Sequence, residues 1–91
     1  MSTKEITKTE TITKEQVVKE HEIVLFNDDV NTFDHVIETL MLVCHHTSEQ
    51  AEQCALLVHY KGQCTVKTGA LKDLKPQCIA LLTAGLSAEI I

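Results

Sequence analysis

The sequence contains no arginine and no tryptophan, only one proline and three glycines, and its net charge at pH 7 is −5. Without guanidinium groups, no side chain of the chain can hold a phosphate through two parallel hydrogen bonds. A negative chain also lacks the clustered cations whose counterion exchange drives nucleic-acid binding. The composition therefore argues against a nucleic-acid-binding protein.

Long apolar stretches are also missing, since none reaches the ~18 residues that a membrane-spanning helix needs. Residues 1–20 lack the apolar centre of a secretory signal. Four cysteines stand at positions 44, 54, 64 and 78, and none forms a Cys-x-x-Cys motif. We expect a cytoplasmic protein without membrane contact, whose thiols are reduced and behave as small buried apolar groups.

With 91 residues, of which 44% are hydrophobic, the chain is expected to form one domain with a small core. A shallow surface site fits such a domain better than a deep cavity. Residues 1–20 are rich in Thr, Lys and Glu and carry little apolar surface, which predicts a flexible N-terminal arm with a weak strand signal at Glu10–Ile12. The folded domain is expected to span residues 21–91.

The first predicted elements are a strand and a helix. His21–Phe26 is short and rich in β-branched and aromatic residues, which is typical of a strand, and it ends at Asn27-Asp28-Asp29. A stripe at helical spacing then follows Asn31, which we expect to be the N-cap. Its apolar members are Phe33, Val36, Ile37, Leu40, Met41 and Cys44. His45-His46 is predicted to end this helix.

A second helix is predicted from Thr47, which forms a capping-box pattern with Gln50, to Gly62, which stops it. Its apolar stripe consists of Ala51, Cys54, Ala55, Leu57 and Val58. His59 lies four residues after Ala55 and therefore shares its face.

The rest of the chain predicts a strand at Gln63–Thr68, a third helix and a final strand at Leu86–Ile91. Asp73 is a candidate cap for the third helix, which would place Pro76 in its first turn, and Gly85 is a candidate for the residue after its end. The element order is β-α-α-β-α-β. We expect an α+β fold of two layers, a three-stranded antiparallel sheet packed against three helices.

Two features do not follow from packing alone, namely the adjacent acceptors of Asn27-Asp28-Asp29 and a histidine on an apolar helix face, His59. The simpler interpretations are a solvated turn and a hydrogen-bonded core histidine. A metal site formed by Asp28, Asp29 and His59 is an alternative, but the sequence has no His-x-x-x-His pattern or other convergent ligand set. We therefore predict no metal, no cofactor and no catalytic activity.

Three segments in this order and spacing resemble the ClpS family of N-degron adaptors. They are Leu25-Phe26-Asn27-Asp28-Asp29, Phe33-x-x-Val36-Ile37-x-x-Leu40 and Val58-His59-x-x-Gly62. The resemblance covers about residues 21–91, and the family fold has the same β-α-α-β-α-β order. The C-terminal domain of the ribosomal stalk protein has a related fold, so a non-catalytic interaction module of that kind is the alternative.

The resemblance implies an adaptor that recognises a free N-terminal Leu, Phe, Tyr or Trp. An α-ammonium group offers three donors and one positive charge, so it suits carboxylates, an amide oxygen and a neutral imidazole. By family register the α-amino group is bound by Asn27, Asp28 and His59, and Asp29 belongs to the same binding motif through its charge or by supporting its neighbours. The side chain enters a hydrophobic pocket lined by Asn31, Phe33, Ala55, Val58 and Leu86.

The resemblance also implies delivery of the cargo to a ClpA- or ClpC-type AAA+ chaperone, with help from the N-terminal arm, by a monomeric adaptor. Three positions differ from many family members. Asn31 stands where Thr is common, and Phe33 and Ala55 stand where Met is common. Phe33 is expected to narrow one wall of the pocket and Ala55 to widen another, which changes the order of preferred residues.

Overall fold

The protein is described by a computed structural model that covers residues 20–91. Its strands are β1 (His21–Phe26), β2 (Gln63–Gly69) and β3 (Ser87–Ile90), and its helices are α1 (Phe33–Cys44), α2 (Ser48–Lys61) and α3 (Leu71–Thr83). The predicted β-α-α-β-α-β order is confirmed. The predicted arm, except Glu20, and the strand signal at Glu10–Ile12 lie outside the described residues.

The three strands form one antiparallel sheet in which β1 lies between β2 and β3. Ile23 and Leu25 alternate along β1 and therefore point to the same face, where the helices cover them. The core beneath them includes Leu40, Cys44, Ala51, Val58, Leu74, Cys78 and Leu81, with Val36 and Ile37 packed against it. The expected two-layer α+β architecture is therefore confirmed.

The ends of α1 differ in how well the sequence predicts them. Thr32, not Asn31, is the N-cap, because the Thr32 hydroxyl accepts from the His35 backbone N–H. Asn31 is instead engaged by the preceding loop. At the other end His45 adopts a left-handed conformation with φ 59°, and the helix stops there as expected.

Helix α2 has both predicted ends. The Thr47 side chain accepts from the Gln50 backbone, and the Gln50 side chain accepts from the Thr47 backbone N–H, which completes the capping box. Gly62 ends the helix at φ 94°, and its N–H donates to the Val58 carbonyl. The cap at Gly62 fixes the last turn of α2, which carries His59.

Helix α3 begins two residues before the predicted cap. Ala70 is the N-cap and makes no side-chain hydrogen bond, so Asp73 lies inside the first turn rather than capping it. Pro76 consequently lies beyond the first turn, inside the helix. Its missing N–H leaves the carbonyl of Lys72 without a helical partner, and Lys72 is exposed to water.

The end of α3 is a Schellman motif centred on Gly85, the residue after the C-cap Ala84. The Gly85 N–H donates to the Leu82 carbonyl, and the Leu86 N–H donates to the Leu81 carbonyl. Gly85 has φ 94°, which side chains with a Cβ rarely adopt. The motif turns the chain sharply into β3 and buries Leu86 beside Leu81.

Within residues 20–91 no helix is both long and apolar enough to cross a membrane. All four cysteines are free, with Cys44 and Cys78 buried and Cys54 and Cys64 half-buried. Their expected behaviour as apolar packing groups is confirmed most clearly at Cys44 and Cys78, which belong to the core.

Candidate functional site

A cavity of about 350 Å³ lies where the loop between β1 and α1 faces α2. Its volume is at the small end of the range for ligand-binding cavities. The residues around it are Asn27, Asp28, Asp29, Asn31, Phe33, Val36, Ala55, Val58 and His59. We call residues 27–31, which form one rim of this cavity, the acceptor loop.

The acceptor loop is held from within by Asp28. One carboxylate oxygen, Oδ1, accepts from the backbone N–H groups of Val30 and Asn31, each at 3.0 Å. The other, Oδ2, accepts from Asn31 Nδ2 at 2.8 Å and from Ser87 Oγ at 3.3 Å. Since a carboxylate offers about four acceptor positions, these bonds occupy the acceptor capacity of Asp28.

The same hydrogen bonds set the charge of Asp28. The bond from the Asn31 backbone N–H lowers the pKa of this carboxyl below its ordinary value of 3.8, against the opposing effect of burial. The bonds from Val30 and from the Asn31 and Ser87 side chains lower it further. Asp28 is therefore anionic at neutral pH and contributes a fixed negative charge to the rim.

The lowered pKa of Asp28 predicts acid sensitivity. Its ionised form is favoured in the folded state, so this contribution to stability is complete well above pH 3.8 and is lost as the pH falls towards and through the lower folded-state pKa. We expect Asp28→Asn to lose less unfolding free energy than wild type between about pH 5 and pH 3 in urea titrations. Asp29→Asn, on the same loop, is the matched control, and an identical acid loss in wild type and both variants would contradict the prediction.

The rim opposite the acceptor loop is the last turn of α2. His59 is exposed there and its ring meets Tyr60 edge-on, with ring centroids 4.9 Å apart. The interpretation of His59 as a core histidine is therefore wrong. The Asn27 backbone N–H donates to the Gly62 carbonyl at 3.0 Å, which fastens the start of the acceptor loop to the end of α2.

The cavity floor and walls are apolar. Ala55 and Val58, on successive turns of α2, are 3% and 6% exposed and form the floor. Phe33, at the start of α1, is 39% exposed and forms a wall with Val36. Carboxylate, amide and imidazole groups thus surround an opening whose interior is hydrocarbon.

The structure gathers every predicted site residue except Leu86 around this one cavity. Leu86 is buried and lines a smaller void of about 30 Å³, which shares five lining residues with the larger cavity, namely Asn27, Asp28, Asn31, Val36 and Val58. Two participants were not predicted as site residues. Val36 was assigned to the core stripe, although its position one turn after Phe33 indicates the same face. Ser87 has no local signal, because only the fold brings it to Asp28.

Other chemistry is less well supported by the described residues. No group of three or more His, Cys, Asp or Glu side chains in residues 20–91 is arranged to hold a metal ion. A larger cavity of about 510 Å³ lies near His45, His46 and Lys67, but its lining does not combine an acceptor rim with an apolar floor.

Comparison with known proteins identifies the class to which this fold and site belong. Residues 14–89 match the family model of the ATP-dependent Clp protease adaptor protein ClpS. This match covers most of the chain and places the protein among the protease adaptors. The chain belongs to the ClpS family, which decides between the two interaction modules that the sequence left open.

Individual relatives agree with this assignment. The ClpS adapter of Thermosynechococcus vestitus is 35% identical over 79 residues, which cover 81% of this chain and 84% of that protein. The ClpS adapter of Campylobacter jejuni is 44% identical over 57 residues, which cover 60% of this chain and 59% of that protein. The fold matches Agrobacterium tumefaciens ClpS2 bound to L-phenylalaninamide, with a TM-score of 0.75, 19% identity, and coverage of 81% of this chain and 96% of that one.

Proposed function

We propose that this protein binds the free N-terminal residue of other proteins, when that residue is Leu, Phe, Tyr or Trp, and delivers them to a protease. The observation that carries the proposal is the joining, in one cavity, of a polar rim of acceptors and an apolar floor. An N-terminal residue has the complementary shape, with a cationic donor beside a side chain. L-phenylalaninamide, the ligand of the Agrobacterium relative, has both features, a free α-amino group and a phenyl side chain.

In this proposal the α-ammonium group lies between Asn27, Asp29 and His59. Asn27 and a neutral His59 accept hydrogen bonds, and the exposed carboxylate of Asp29 supplies charge at close range. Asp28 has its acceptor positions occupied, so it acts through its negative charge and by shaping the loop. The first side chain of the substrate packs on Phe33, Val36, Ala55 and Val58, above Leu86.

The energies are consistent with reversible binding. A charge pair at about 4 Å near a protein surface is worth about 4 kcal/mol, and burying Leu or Phe adds about 1.5–3 kcal/mol. Association itself costs several kcal/mol, so these two contributions give weak, reversible binding to which hydrogen bonds with the peptide backbone would add. Such an affinity allows an adaptor both to capture a substrate and to release it. We propose no catalytic residue and no cofactor.

A series of labelled peptides that differ only in their first residue tests the proposal. We expect Leu, Phe, Tyr and Trp to bind about 10- to 150-fold more tightly than Gly in fluorescence anisotropy, because Gly leaves the apolar floor unfilled. A Gly-initiated peptide that binds as tightly as the Leu-initiated one would refute recognition of the first side chain.

The protease component is proposed to be a ClpA- or ClpC-type AAA+ chaperone in the cytoplasm, and the adaptor to act as a monomer with its N-terminal arm, residues 1–20, assisting delivery. Support comes from the family, which is named for the ATP-dependent Clp protease. The protein should accelerate degradation of a Leu-initiated reporter by such a protease in a purified system. A variant without residues 1–20 should bind peptide normally but accelerate degradation less. Equal acceleration by the full and shortened chains would exclude a role for the arm.

A further inference from the structure

The acceptor loop is joined to a distant part of the chain through two side chains, Asn31 within the loop and Ser87 outside it. Asn31 Nδ2 donates to Asp28 Oδ2 at 2.8 Å and to the Gly85 carbonyl at 2.9 Å. Ser87 Oγ donates to the same Asp28 oxygen at 3.3 Å. Asp28 is thus connected to residues 85–87 by two independent paths, one through Asn31 and one through Ser87.

Both anchors of this connection are rigid. Gly85 is fixed by the Schellman motif at the end of α3. Ser87 is the first residue of β3, where it lies opposite Phe26, the last residue of β1 before the acceptor loop. The loop is also fastened to α2 at its beginning, through Asn27 and Gly62. The position of the acceptor loop relative to His59 therefore depends on its hydrogen bonds to Gly85, Ser87 and Gly62.

We propose that Asn31 and Ser87 are positioning residues, a clamp that holds the acceptor loop through Asp28 and keeps Asn27 and Asp29 at the distance from His59 that an α-ammonium group requires. The clamp rests on the proposed function, because its effect is on the affinity for a free N-terminus. Ser87 is not part of the cavity lining, and Asn31, which is, acts in this proposal through its two side-chain donors. A site held in its binding geometry before the ligand arrives loses less conformational freedom on binding.

One variant distinguishes the position of the acceptor loop from its charge, because the two explanations predict opposite changes in peptide affinity. Asn31→Asp keeps the shape of the side chain but removes both donors, and it adds a negative charge beside the cavity. If the rim acted through charge alone, this variant would bind an ammonium group more tightly. We expect a Leu-initiated peptide to bind about tenfold or more weakly to Asn31→Asp, and also to Asn31→Ala. Ser87→Ala should weaken binding, whereas Ser87→Thr, which keeps the hydroxyl, should restore it.

The experiment has two readouts. Fluorescence anisotropy gives the peptide affinity of each variant, with Ser48→Ala, an exposed serine at the start of α2, as the control that should bind like wild type. Carbon-13 NMR of the Asp28 carboxyl group in the free protein gives its titration. Loss of a donor should raise the Asp28 pKa in Asn31→Ala and Ser87→Ala, with no peptide present.

The two measurements distinguish a failure of the clamp from a failure of the proposed function. If wild type binds no Leu-initiated peptide, the proposed function fails, and an unchanged Asp28 titration in Asn31→Ala would still overturn the clamp by itself. If wild type binds, the clamp is overturned when Asn31→Asp binds more tightly than wild type, or when Asn31→Ala and Ser87→Ala both stay within about twofold of it. Weaker binding together with a raised Asp28 pKa supports the clamp.

Discussion

Acetylating the N-terminus of a Leu-initiated peptide should weaken its binding by about 2–5 kcal/mol, or about 30- to 5,000-fold. Acetylation removes the positive charge and two of the donors, so the carboxylates of the acceptor loop face a neutral amide. The side chain of the peptide is unchanged, so the loss isolates the contribution of the α-amino group. Fluorescence anisotropy with the free and the acetylated peptide gives the difference directly.

The role of His59 follows from the same pair of peptides. His59→Ala should weaken binding of the free peptide and have little effect on the acetylated one, because the lost acceptor serves only the ammonium group. Comparing both peptides on both proteins forms a double-mutant cycle whose coupling energy belongs to this contact. Equal binding of free and acetylated peptide to wild type would remove the α-amino group from the recognition mechanism, whatever His59→Ala does.

The second large effect concerns stability. Leu81 is 0% exposed, lies in the core and supplies the carbonyl that the Leu86 N–H binds in the Schellman motif. Leu81→Ala should lower the free energy of unfolding by about 2–5 kcal/mol in urea titrations. The substitution removes buried methyl groups and leaves a void in the core that the surrounding side chains fill only in part. That loss is a large part of the total stability of an ordinary small domain.

The neighbouring residue provides the control. Leu82 has the same side chain on the same helix but is 49% exposed, so Leu82→Ala removes much less buried surface. We expect a loss of no more than about 1 kcal/mol. Comparable losses of unfolding free energy in the two variants would contradict the assignment of Leu81 to the core and of Leu82 to the surface.

How far the sequence predicts this fold depends on whether the deciding interaction is local. Both ends of α2 were predicted, because a capping box is formed by Thr47 and Gln50 within one turn and Gly62 suits the left-handed end. The start of α1 was predicted one residue too early, at Asn31 instead of Thr32, since both residues are good N-caps. The choice is made by Asp28 and Gly85, which engage the Asn31 side chain elsewhere.

The same distinction applies to the site. The cavity rim could be anticipated, because Asn27, Asp28 and Asp29 follow a strand and His59 stands out on an apolar stripe. The start of α3 was placed at Asp73 from its capping propensity, whereas the helix begins earlier without any side-chain cap. Ser87 carries no pattern of its own, and its contact with Asp28 spans 59 residues, so only the folded topology reveals it.

The long sequence separation of these contacts has a consequence for how the cavity rim depends on the rest of the chain. The two contacts that fasten the acceptor loop to the far side of the domain join residues 54 and 59 positions apart. The end of α3 places the Gly85 carbonyl, and the pairing of β3 with β1 places the Ser87 hydroxyl. The geometry of the cavity rim, which is formed near the start of the domain, therefore depends on residues near its end.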